Sequence, residues 1–147
     1  MKGKLLFLTL LLSFSSYSKL TDDQQLERAL TSAECLGYMT LFNDEDIDKS
    51  KNEINRLSRI FQVSSMAIMH SQPMKDIYAK SIFGRSDVKF SAEFLSGSML
   101  GASREEVTSD IKNKFGGSKM ESDKNIRKIW GYEAFRRYSN LKCENIK

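Results

Sequence analysis

Apolar residues recur through most of this chain at intervals of three and four, the spacing that lays one stripe along an α-helix. The first stripe holds Leu26, Leu30, Ala33, Gly37 and Leu41, flanked by Ala29, Leu36 and Tyr38, and predicts a helix over 22–42. Thr21 is its N-cap, and Asp22 and Asp23 occupy the first turn, where the helix dipole favours acids. Cys35 falls at the edge of this stripe. Asn43 to Asp46 interrupts the pattern and is placed to cap the next helix. Ile47, Ile54, Leu57, Phe61, Ser64 and Ile68 form the second stripe, widened by Ile60, Val63 and Ala67, and predict a helix over 46–70. Ser71, Gln72 and Pro73 end or kink it, because proline disfavours helical geometry in the residue before it.

The pattern then weakens. Met74, Ile77, Tyr78 and Ile82 predict a short helix ending at Gly84. Asp87 is placed to cap a piece holding Val88, Phe90, Phe94 and Leu95. Gly97, Ser98, Gly101 and Ala102 surround Met99 and Leu100 in a small-residue segment that fits a tight helix crossing or a mobile loop equally, and the pattern leaves the structure of 84–102 open. Ser103 to Glu106 reads as a capping box, followed by Val107, Ile111 and Phe115 and stopped by Gly116-Gly117. Ser122 or Asp123 starts the last helix, whose apolar face is Ile126, Ile129, Trp130, Ala134, Tyr138 and Leu141. Pro73 is the only proline, and no alternating run of β-branched residues marks a strand. The expected fold is an all-α bundle of about five helices with the N- and C-terminal helices adjacent.

Cys35 lies on the first helix and the last helix leads to Cys143, and the two cysteines are expected to be disulfide-bonded. The start of the chain supports an oxidising compartment. Lys2 and Lys4 precede the apolar run Leu5 to Leu12, and Ser16 and Ser18 are suitably placed for cleavage before Lys19. That layout reads as a cleaved secretory signal peptide over 1–18, leaving one helical domain over 19–147. The apolar run is too short to span a bilayer. The expected location is therefore export, with the periplasm favoured over secretion.

Charge is uneven. Residues 19–110 carry 11 basic and 15 acidic side chains, whereas 111–147 carry 10 basic and 4 acidic. In the last helix Arg127, Lys128, Arg136 and Arg137 interleave with Tyr132 and Phe135, and these six residues are the candidate interface.

Constellations for chemistry are weak. Asp44, Asp46 and Asp48 open like a calcium loop, but position six is Lys49 instead of glycine and position twelve is Asn55 instead of glutamate. His70 is the only imidazole and sits at a predicted helix end, where a cation is favourable without catalysis. Two cysteines and one histidine do not make a zinc site. Met66, Met69 and Met74 lie close in sequence and read as core filling. Glu34 and Glu93 adjoin apolar residues, and Glu133 is placed to pair with Arg137 one turn on. No catalytic, cofactor or metal residue is assigned.

The expected function is binding of a protein partner in the envelope or outside the cell, of the inhibitor, immunity or secretion-accessory type. One alternative is a small envelope hydrolase using paired carboxylates, which requires a buried acid of raised pKa. The other is a peripheral binder of anionic membrane through the basic last helix. Nucleic acid is not an expected partner.

Overall fold

The computed structural model describes residues 20–85, 87, 89–117 and 122–147. The signal-peptide reading of 1–18, Val88 and Met120 lie outside the described residues. Among those residues the chain forms six α-helices and no strand: α1 Asp22–Met39, α2 Asp44–Lys49, α3 Lys51–Met69, α4 Gln72–Phe83, α5 Ala92–Lys114 and α6 Lys124–Asn140. A short 3-10 turn at Cys143–Asn145 follows.

Local cap chemistry places several boundaries where the sequence predicts them. Thr21 caps α1 in a complete capping box with Gln24. Gly84 ends α4 at φ 65°, a left-handed conformation that disfavours side chains with a Cβ. Gly116 and Gly117 both have positive φ, and the Gly117 amide donates back to the Lys112 carbonyl at 2.6 Å, closing α5. Asp123, rather than Ser122, caps α6, accepting from the amides of Asn125 and Ile126.

Three of the expected helix boundaries need correction. The helix expected over 46–70 is two helices, broken at Ser50, whose φ of −97° and ψ of 4° leave the helical region. The segment the sequence left open over 84–102 divides: residues 92–102 belong to a continuous 23-residue helix capped by Ser91, and residues 84–91 precede it. Asp87 pairs with Arg85 rather than capping anything. Ser103 to Glu106 lies in mid-helix, so it caps nothing. The reason is tertiary. Leu95, Met99, Val107 and Ile111 all face the core from one side of α5, and their burial carries the helix through its glycines.

The core has two contiguous parts. Ala29 and Ala33 of α1 pack with Phe61, Ile68 and Met69 of α3, Ala79 of α4, and Ala92, Leu95 and Met99 of α5. Met66 and Met74 lie against this part. Further along α1, Cys35, Tyr38 and Met39 pack with Leu57 of α3, Val107 and Ile111 of α5, and Trp130, Ala134 and Tyr138 of α6. Helices α1 and α5 therefore run side by side in the same direction, with α3 opposed. The Cys35–Cys143 disulfide, with Cα atoms 5.9 Å apart, joins α1 to the turn after α6. Both sulfur-bearing residues are fully buried, so Cys35 sits in the core and not at the edge of its stripe. Arg56 of α3 holds the same tail, donating to the carbonyls of Cys143 and Ile146 while its guanidinium pairs with Glu53.

Of the two alternatives left open near Gly97 and Gly101, neither holds there, and the tight helix crossing occurs at Gly37. A Cβ built there lies 2.5 Å from Val107 Cγ2 and 3.3 Å from the Arg104 Cα. Gly97 and Gly101 face solvent with nothing within 4 Å of a built Cβ. Opposite effects of one substitution follow. Gly37→Ala is expected to cost about 1–3 kcal/mol by overpacking against a stiff β-branched neighbour. Gly97→Ala and Gly101→Ala are each expected to add about 0.5–1 kcal/mol by removing backbone freedom from the unfolded chain. Urea unfolding of the three variants checks both signs.

Candidate protein-binding surface

Helix α6 is divided by its own periodicity. Trp130, Ala134 and Tyr138 point into the core at a spacing of four. The Trp130 indole N–H donates to the Phe115 carbonyl at 3.4 Å, and the Tyr138 hydroxyl donates to Glu53 at 2.8 Å. Gly131 permits close seating on the loop after α1. A Cβ there would lie 3.0 Å from the Asn43 side chain and the Leu41 carbonyl oxygen.

The opposite face is open. Tyr132 is 80% exposed, Phe135 50% and Ile129 43%. Ile129 and Leu141, expected in the apolar face, are thus on the outside. Lys128, Tyr132 and Arg136 follow at a spacing of four, with Phe135 beside them, so they share one face. The Phe135 ring rests on Phe42, with centroids 5.6 Å apart, which limits its motion.

Glu133 anchors the charged part of this surface. It is buried, and it accepts two hydrogen bonds from Arg136, both 2.8 Å, and one from Arg137 at 2.9 Å. The hydrogen bond from Arg136 holds its carboxyl down to about 2. Arg137 and Lys114 act in the same direction, against the burial that pushes it up. Arg137 goes on to Asp110 of α5 and is only 22% exposed. The six candidate interface residues therefore divide. Arg127, Lys128, Tyr132, Phe135 and Arg136 are exposed, and Arg137 turns the other way to pair with Glu133 and Asp110.

A groove of about 660 Å³ borders the exposed face. Lys124, Arg127, Lys128 and Tyr132 form one wall, and Asp44, Glu45 and Asp46 at the start of α2 form the other. No ion pair joins the two walls among the described residues. Two of these acids, Asp44 and Asp46, belong to the failed calcium-loop pattern of the sequence, and with Glu45 they form the wall of opposite charge to α6. Sequence periodicity gave no signal for this juxtaposition, because α2 and α6 are far apart along the chain.

The other candidate groups have structural roles. His70 caps the end of α3, exposed, with Nδ1 2.6 Å from the Met66 carbonyl oxygen. Glu34 accepts from the Tyr38 hydroxyl at 2.7 Å. Glu93 is exposed in the first turn of α5, and backbone hydrogen bonding together with Ser91 lowers its pKa. Among the described residues no group of three or more His, Cys, Asp or Glu is arranged to hold a metal, and no helix is long and apolar enough to cross a membrane. Compared with known protein families, curated proteins and solved structures, the chain matches none.

Proposed function

We propose that this chain is an exported helical module that works by binding a protein partner in the cell envelope or outside the cell, in the manner of an inhibitor, immunity protein or secretion accessory. The observation that carries this reading is the outer face of α6, where a tyrosine 80% exposed stands beside a half-exposed phenylalanine and an arginine held in place by Glu133. Tyrosine and arginine dominate the energetics of protein interfaces, and rigid placement lowers the entropy lost on binding. Export is supported by the basic-apolar-serine layout of residues 1–18 and by the disulfide, which persists in oxidising compartments. The periplasm is the favoured location.

The acidic wall of the groove favours a protein over an anionic bilayer. A membrane surface meeting Lys124, Arg127 and Lys128 would also meet Asp44, Glu45 and Asp46, whereas a partner of mixed charge answers both walls. The hydrolase reading has less support. It needs a carboxyl of raised pKa, and the one buried carboxylate among the described residues is held down to about 2.

The test is capture from envelope extract and culture medium by the tagged protein under non-reducing conditions, run beside a Lys128→Glu/Tyr132→Ala variant. The expected result is one stoichiometric protein that the wild type retains and the variant binds on the order of 30-fold or more weakly. Equal capture by both proteins would place the interface elsewhere. Salt-sensitive binding to anionic vesicles, with no protein retained, would replace this reading with the peripheral-membrane one.

A further inference from the structure

A second concave surface lies away from the outer face of α6. Leu30, Glu34 and Tyr38 recur every four residues along α1, and Met99, Glu106 and Asp110 lie along the adjacent face of α5. Tyr78 and Ile82 of α4 close one side, and Arg137 closes the far end. The cleft between them measures about 510 Å³, within the size range of small-ligand sites.

Its two ends differ chemically because α1 and α5 run in the same direction. The early turns of both helices contribute Leu30 and Met99, which Ile82 of α4 joins. Leu30 and Ile82 are large apolar side chains left 44% and 42% exposed at this end. The later turns contribute Glu34, Glu106 and Asp110, three carboxylates against the single guanidinium of Arg137, and that guanidinium is shared with Glu133. The acidic end therefore carries net negative charge beside the buried Tyr38 and half-buried Tyr78, and attracts an opposite charge. Glu34 is oriented by the Tyr38 hydroxyl, which donates to it and whose pKa burial pushes up to about 12. Tyr78 is half-buried in the wall, with no hydrogen bond among the described residues. Its hydroxyl is available to a ligand, and its ring offers a face to a cation.

We propose that this cleft binds an organic cation with an apolar body, the ammonium or guanidinium group lying against Glu34 and Glu106 and the body against Leu30, Ile82 and Met99. Helices supply every wall, so the site is formed before the ligand arrives. A carboxylate of the same shape would face a net negative charge and is disfavoured by sign.

The experiment is titration of the full protein with n-octylammonium, and in parallel with octanoate, by calorimetry and amide chemical shifts at physiological salt. Saturable one-to-one binding of octylammonium is expected, shifting α1 and α5 amides around the cleft, with octanoate at least about tenfold weaker. Glu34→Gln/Glu106→Gln removes both charges and leaves an acceptor for Tyr38, and is expected to weaken octylammonium binding about tenfold or more. Ala102→Trp, at an exposed position on the cleft wall, is expected to block it. Thermal unfolding by circular dichroism confirms that each variant is folded. If the double variant is not, Glu106→Gln alone carries the test, since Glu106 is exposed. Octanoate binding as tightly as octylammonium, unchanged binding after loss of the carboxylates, or no saturation below the micelle concentration would each overturn the proposal.

Discussion

Reduction of the Cys35–Cys143 bond is expected to lower the folding stability by about 4–5 kcal/mol. The two residues are 108 positions apart, so the intact bond closes nearly the whole described chain into one loop and removes extended conformations from the unfolded ensemble. Both cysteines are fully buried between α1, α3 and the final turn, so reductant reaches the sulfurs only through opening of this end of the bundle. Urea unfolding of the wild type with and without reductant measures the effect without creating a cavity. Cys35→Ala/Cys143→Ala is expected to agree with the reduced wild type to within about 1–2 kcal/mol, the difference being the lost sulfur packing. Coincident midpoints for the oxidised and reduced proteins would mean that the ion pairs and core around Arg56 hold the tail without the bond.

Glu133→Gln is expected to lower stability by about 2 kcal/mol at neutral pH, with the difference from wild type disappearing in acid. The folded carboxyl titrates at about 2, against 4.5 for an unperturbed glutamate. A depressed folded pKa means that the unfolded chain takes up the proton first. The stabilisation is complete above about pH 4.5 and is lost as pH falls towards 2. The full shift corresponds to about 3 kcal/mol. The lower figure is expected because Arg136 is 53% exposed and solvent screens its share. Arg137, 22% exposed, bears the remaining cost, since the amide leaves its guanidinium with Asp110 and only a neutral acceptor in place of Glu133. Chemical unfolding of both proteins between pH 2 and pH 7 checks this. A difference independent of pH would assign the effect to packing instead of charge. The same variant releases Arg136 on the binding face, so its partner affinity is expected to fall through lost positioning while Tyr132 stays in place.

The candidate interface shows how far local pattern reaches. The alternation of Lys, Arg and aromatic residues in the last helix marks it as two-faced, and the structure keeps Tyr132 and Phe135 outside. The pattern does not distinguish neighbours. Arg136 and Arg137 are adjacent in sequence, yet one stands in solvent and the other reaches Asp110 across to α5. Leu30 and Ile82 carry the same ambiguity. Both fit apolar stripes, and both are left at the rim of a cleft because no helix covers them.

By itself the sequence determined what short-range physics controls: helical periodicity, the caps at Thr21 and Gly84, a start for α6 at Ser122 or Asp123, the stop at Gly116-Gly117, and the one cysteine pairing that two cysteines allow. These depend on backbone geometry and hydrogen bonds within a few residues. Only the tertiary structure decided which glycine is a crossing point, whether α5 continues through Gly97 and Gly101, and which carboxylate is buried among arginines. Those outcomes depend on what packs against each face. A stripe specifies that one side of a helix avoids water, but the depth of burial and the partner of each charge are properties of the neighbouring helices.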